Sequence, residues 1–464
     1  MLAPAERANY EQGSVLTFEG ILVQPGADLV VVLVVAPPPS ELPKAQIASA
    51  IVISTDITKI NYPEFYNNPT VVKDAVVENA YCAIEKGEVA YPIEYLGNYG
   101  FPEVVGAPLP SSIQRLVGLK DVWIPEPNKN DGCVSLGYDA MREAFEKTLP
   151  RVKALGAGGI TFSNYVHFSN FNDAITDGPE KAAMPEEEFR FAASKAQEIG
   201  LDAVLYLNLA LGNETVSWDI PGEDWLAKLI RNWGKFVLNQ ANVAEETGID
   251  AVMLNHFDYQ PGIYGFEEVF QAEMLALLQE VRDVYTGKVL LMIDPVWGAD
   301  LNKLDTLLRQ VDGFLYTPQT NILENVSDKT VSVNNLKSLY LKNFEDIGRD
   351  FARYGKPFYL RILIQSTKVF LEEGWHEEMF CIQRGADPCY QKGLEVDFSA
   401  QAIAYEAMLE AIKEASGKYL DVGAVDSYGY WYTDVMLPDV SQPQIGQSVR
   451  NKPAESIVKQ WFAR

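Results

Sequence analysis

The sequence predicts an α/β protein: a (β/α)8 TIM barrel over residues 116–464, preceded by an Ig-like β-sandwich over residues 1–115. Three observations carry this reading. From about residue 116 onward, short apolar runs alternate with long helical stretches. Eight such runs fit into roughly 340 residues, the number a closed barrel of this kind needs. The first 115 residues lack the alternation and hold β-rich runs punctuated by Pro, Gly and Asp, as a sandwich does.

In the N-terminal part the runs are SVLTFEGILV, DLVVVLVVA and QIASAIVIST, with no long amphipathic helix among them. The segment GAPLPSS (106–112) reads as the linker. The eight barrel runs that follow are DVWIP (121–125), GGITFSN (158–164), DAVLYLN (202–208), DAVMLNH (250–256), KVLLMID (288–294), DGFLYTP (312–318), KPFYLRILI (356–364) and DVGAVDS (421–427). Helical stretches over 140–156, 186–200, 225–248, 269–287, 334–355 and 399–417 separate them, each ending in Gly, the residue that accepts a left-handed C-cap. The competing architecture, a doubly wound open sheet, calls for a Gly-rich phosphate turn after an early strand. GAGGI (156–160) precedes its strand, so it does not match.

Composition narrows the function. At 47% hydrophobic and 22% charged residues, the chain is globular. Its net charge of −26 repels phosphate backbones and excludes nucleic acid as a partner. No apolar run approaches the roughly 20 residues that span a bilayer, so no membrane span is expected. The chain has four cysteines, and Cys381 and Cys389 bracket the short loop CIQRGADPC, which is suited to closing as a disulfide. The acidic surface, that loop and the start at LAPAERANYEQG lead us to expect a secreted, periplasmic or cell-surface protein that has lost a leader. Two sequons begin at Asn213 and Asn325.

In a barrel of this type, chemistry sits where the strands end. The ends read here are Glu126; Ser163, Tyr165 and His167; Asn208; Asn255, His256, Asp258 and Tyr259; Asp294 and Trp297; Tyr316 and Gln319; Arg361, Gln365 and Ser366; and Asp426, Tyr428, Tyr430 and Trp431. Carboxylates, amides and aromatics together suit a sugar, whose C–H face stacks on rings while its hydroxyls take hydrogen bonds. Glycoside hydrolysis needs two carboxyl groups, and Asp258, Asp294 and Asp426 are the catalytic candidates. The expected substrate-binding residues are His167, Asn208, Asn255, His256, Trp297, Tyr316, Arg361, Gln365, Tyr428 and Trp431. Arg361 further points to an acidic or sulfated sugar, because a guanidinium matches those groups.

Each candidate also has a reading without chemistry. Asp294 precedes Pro295 and caps a turn, Asp426 pairs with Arg361 inside the barrel, Tyr316 and Trp431 fill the barrel top, and Asp258 orients His256. Asp202, Asp250 and Asp312 begin strands and belong to the stability face. The only histidines, His167, His256 and His376, follow strands but form no HxH or HExxH spacing. Neither a metal nor any other cofactor is therefore expected, and a metal-dependent hydrolase of another bond is the weaker alternative.

The ordered series LPRVKALGAGGITFS, AQEIGLDAVLYLNL, WGKFVLNQANVAEETGIDAVMLN, VDGFLYTP and YGKPFYLRILIQS resembles the clan A glycoside hydrolases, most nearly their mannanase-type barrels. VDFSAQAIAYEAMLEAI, with Gln401 and Tyr405, resembles the helix before the last strand of that group. AVDSYGYWYTD resembles its last strand, with Trp431 in the place of a sugar-platform tryptophan. The resemblance implies a Glu after Asn at the end of strand four and a Glu at the end of strand seven. Here His256 follows Asn255, and Arg361 and Gln365 occupy the strand-seven region. The expected function is hydrolysis of a poly- or oligosaccharide through other carboxylates at the mouth, the acidic loop with Glu372, Glu373, Glu377 and Glu378 included. The alternative is a non-catalytic glycan-binding or surface-assembly protein on a degenerate glycosidase barrel.

Overall fold

The computed structural model describes residues 97, 99–119, 137–210, 220–254, 263–294, 298–318, 321–367, 369–373, 395–430 and 446–463, and the backbone of two N-terminal strands. Those strands, β1 (Leu29–Val35) and β2 (Gln46–Ile53), form an antiparallel ladder with a register shift between Leu33 and Val34. The rest of the expected sandwich, all four cysteines and the run 121–125 lie outside the described residues.

Eight parallel strands close into a barrel. They are β3 (Gln114–Leu119), β4 (Gly159–Asn170), β6 (Asp202–Ala210), β7 (Ala251–Leu254), β8 (Lys288–Met292), β9 (Gly313–Tyr316), β10 (Phe358–Ile362) and β11 (Val422–Tyr430). Each pairs with its neighbour in chain order, and β3 closes the ring by pairing with both β11 and β4. A short strand β5 (Ile175–Thr176) turns back on the end of β4. Seven of the strands fall on the sequence-predicted runs. The first does not: QRLVGL at 114–119 is the opening barrel strand, ahead of DVWIP.

Helices wrap the barrel: α1 (Gly137–Ala154), α2 (Glu186–Glu198), α3 (Glu223–Thr247), α4 (Glu267–Val284), α5 (Asp305–Gln310), α6 (Val333–Phe351), α7 (Phe370–Glu373), α8 (Phe398–Ala415) and α9 (Pro453–Phe462). Their ends follow local chemistry. Ser332 and Asp397 accept the amides of Asn335 and Ala400 and so cap α6 and α8. Gly248 ends α3 at φ +66°, where its amide reaches Ala244 and Glu245. An added Cβ there meets only the Gln197 amide at 3.5 Å, so the cost of a side chain is conformational. Gly248→Ala is therefore expected to lose about 1 kcal/mol in urea unfolding with the m-value unchanged.

Side-chain parity separates two cores. Outward residues of the strands, such as Ile160, Phe162, Leu205, Leu207, Phe314 and Leu360, pack under the helices. Inward residues Leu116, Val204, Ala251, Met253, Leu290, Met292, Leu315, Tyr359 and Ala424 fill the lower barrel. At the opposite end from the mouth, the carboxylates of Asp250 and Asp312 accept the amides of Ala203 and Val289, and Asp202 accepts from Gln114. These strand-start acids thus staple neighbouring strands, as their position foretold. The segment before β3 lies along the last helices: Leu109 N donates to Trp461 O at 2.9 Å, and the Val105 amide and the Trp461 indole share Glu406.

Candidate active site

The upper barrel is polar. On β10, Tyr359 faces inward, so Arg361 does too. Its guanidinium carbon stands 4.0 Å from the ring centres of both Tyr206 and Tyr428. Its Nε lies 3.4 Å from Asp426 Oδ2, and both side chains are almost wholly buried, at 3% and 0% exposure. This is the ion pair that the non-chemical reading of Asp426 foresaw. Burial pushes the Asp426 carboxyl up, against the charge of Arg361. Burial opposes the charge on Arg361 as well, yet Tyr206, Asp426 and Tyr428 raise its pKa overall.

Glycines make room for this arrangement. A methyl at Gly118 on β3 would stand 2.8 Å from Asp426 Oδ1 and closer still to the Tyr428 ring. Gly118→Ala is expected to destabilise by about 1–3 kcal/mol, read as a lowered urea midpoint. At Gly429, φ is +91° and the β11 register slips between Tyr428 and Tyr430. The slip lets two residues of equal parity part: Tyr428 faces inward, while Tyr430 turns out to Glu455.

Around the pair sit the mouth residues. Asp294 follows β8, two residues after the inward-facing Met292. The residue keeps partial exposure, while its carboxyl is enclosed by protein and shares the Thr317 amide at 3.3 Å to each oxygen. Burial pushes it up to about 7; the Thr317 amide, its own amide and the Arg361 charge hold it down. Asn208 faces inward from β6, with its oxygen on the Leu209 amide. Ser163 lies 3.4 Å from the Tyr428 hydroxyl. Tyr165 and His167 extend β4 above the barrel, edge to face at 5.3 Å. Burial lowers the His167 pKa, so the ring is neutral near pH 7.

Several sequence-predicted residues stand elsewhere. Tyr316 turns outward, because Leu315 is the inward residue of β9, and donates to Asn343 at 2.7 Å beneath α6. It fills the helix layer and does not line the mouth. Gln365 is buried just past β10. Ser366 is buried there too and accepts from Lys452 at 2.8 Å. Asn255, His256, Asp258, Trp297 and Trp431 lie outside the described residues, as do His376 and Gln319. Tyr206 was missed by reading strand ends alone. It sits mid-strand, and only its inward parity below Asn208 signals its role. Among the described residues, no three His, Cys, Asp or Glu side chains converge as a metal site.

Taken together, these features define a (β/α)8 barrel with an acid of near-neutral pKa at its C-terminal mouth. No protein-family model matches the sequence, and no characterised protein matches it either. Solved structures do. A GH113 β-1,4-mannanase aligns at TM-score 0.51 and 15% identity, covering 75% of this chain and 98% of that one. A complex structure of a GH113 β-1,4-mannanase aligns at TM-score 0.50 and 15% identity, covering 76% and 98%. The barrel therefore shares the (β/α)8 fold of those enzymes. The strand-seven equivalent, β10, carries Arg361 and no acidic residue.

Proposed function

We infer that the protein hydrolyses a glycosidic bond of a poly- or oligosaccharide at the barrel mouth. The observation that carries this reading is Asp294: it stands at the end of the fifth barrel strand, partly open, with burial pushing its carboxyl up to about 7. A general acid works best when its pKa lies near the working pH. In this reading Asp294 protonates the leaving oxygen and Asp258, which follows β7 in the sequence, is the second carboxylate. Asp426 is the weaker partner, because Arg361 holds it inside the barrel at 0% exposure. Asn208, His167 and Tyr428 hold the sugar, and Asn255, His256, Trp297 and Trp431 are the further binding residues expected from the sequence. We place the protein outside the cytoplasm, on the strength of its −26 charge and the Cys381–Cys389 spacing. No helix of the described residues is long and apolar enough to cross a membrane.

The test is a screen of the purified protein against poly- and oligosaccharides, β-1,4-mannan among them, read by reducing-end release with Asp258→Asn and Asp294→Asn in parallel. Cleavage of one glycan that both variants lose supports the reading. Glycan binding without cleavage would replace it with the non-catalytic alternative.

A further inference from the structure

The charged centre of the barrel is held unusually firmly. Tyrosine rings cover both faces of the Arg361 guanidinium, and Asp426 meets its Nε. Its Nη2 makes no hydrogen bond among the described residues, so part of the fork is not neutralised. The hydroxyl of Tyr206 donates to Met292 Sδ at 3.7 Å. The register sets Met292 against Leu315 and Leu360 against Tyr316, so Asp294, which takes the Thr317 amide, stands about level with Arg361, two strands away.

We propose that Arg361 is a positioning residue whose fixed charge, held by Tyr206, Tyr428 and Asp426, governs when Asp294 gives up its proton. This rests on the reading of Asp294 as the acid of the mouth. In this role Arg361 acts through Asp294. Its positive charge favours the ionised carboxylate and works against burial. Asp426, on the other side of the guanidinium, partly cancels that charge. Among the described residues, the groups acting on Asp294 are the Thr317 amide just past β9, Tyr316 of β9, Arg361 of β10 and its own amide. The arrangement makes a signed prediction. Removing the guanidinium raises the titration midpoint of Asp294, and removing the charge of Asp426 lowers it. Loosened packing alone would not shift the two variants in opposite directions.

The experiment is a ¹³C NMR titration of full-length protein labelled at aspartate carboxyls, with the Asp294 signal assigned by its loss in D294N. Wild type, R361K, R361Q and D426N are compared. We expect R361Q to move the midpoint up by about one unit, R361K to stay near wild type, and D426N to move it down. Any other pattern overturns the proposal. Should R361Q fail to fold, D426N decides alone: a downward shift supports the proposal, and an upward or absent one overturns it. The titration needs no substrate. A failed glycan screen would therefore sink the proposed reaction and leave this result standing.

Discussion

Asp294→Asn is expected to lower the turnover of a cleavable glycan by about 10²–10⁴-fold, the usual contribution of a general acid. The same change is expected to stabilise the protein in mild alkali. The carboxyl has an ordinary value of 3.8 and is pushed up to about 7 in the fold. The folded protein therefore binds this proton more tightly than the unfolded chain does. The stability it contributes is fully present below pH 4 and is lost as pH rises through 7. Asparagine cannot ionise, so the variant escapes that loss. Urea midpoints at pH 5 and pH 8.5 measure it: the advantage of the variant over wild type should be clearly larger at the higher value. Equal midpoints at both would show that Asp294 is not enclosed as described.

Asp426→Ala carries the largest expected effect on stability, about 3–5 kcal/mol lost, because it leaves a buried guanidinium without its counter-charge. The two rings at 4.0 Å offset part of this, since cation–π contact with a desolvated arginine contributes on the order of 2 kcal/mol. Replacing Asp426 and Arg361 together with apolar residues should cost clearly less than the two single changes summed. Chemical denaturation of the three variants measures the coupling. Additive losses would mean that the pair contributes nothing as a pair.

Much of the fold was legible because apolar runs and helical stretches repeat with a strong period. The strand-start acids Asp202, Asp250 and Asp312 read correctly for the same reason: position along a barrel strand separates stability from chemistry. The first strand was hidden by its own function. QRLVGL carries Arg115, whose guanidinium satisfies the carbonyls of Leu109 and Ile113, and Gly118, which must lack a side chain beneath Tyr428. Both weaken the β signal that a sequence reading relies on. At the site, strand ends were found but facing was not. Position along the strand puts Tyr316 at the mouth although parity turns it outward, and only parity marks Tyr206 as an inward residue. The Arg361–Asp426 pair was foreseen because opposite charges on adjacent inner strands have few other partners.

The pairing of Gln114 with Ala424 joins the front of the barrel to its far end in the sequence. That seam sets the order of events during synthesis. Until Val422–Tyr430 leaves the ribosome, β3 and β10 are raw edges, each offering unpaired backbone to any other nascent chain. Contacts this distant in sequence also close late and slowly. A chain interrupted before residue 422 is therefore expected to be sticky, a curled seven-stranded sheet with two open sides. Truncation at the C-terminus should show itself first as aggregation, before any loss of chemistry is seen.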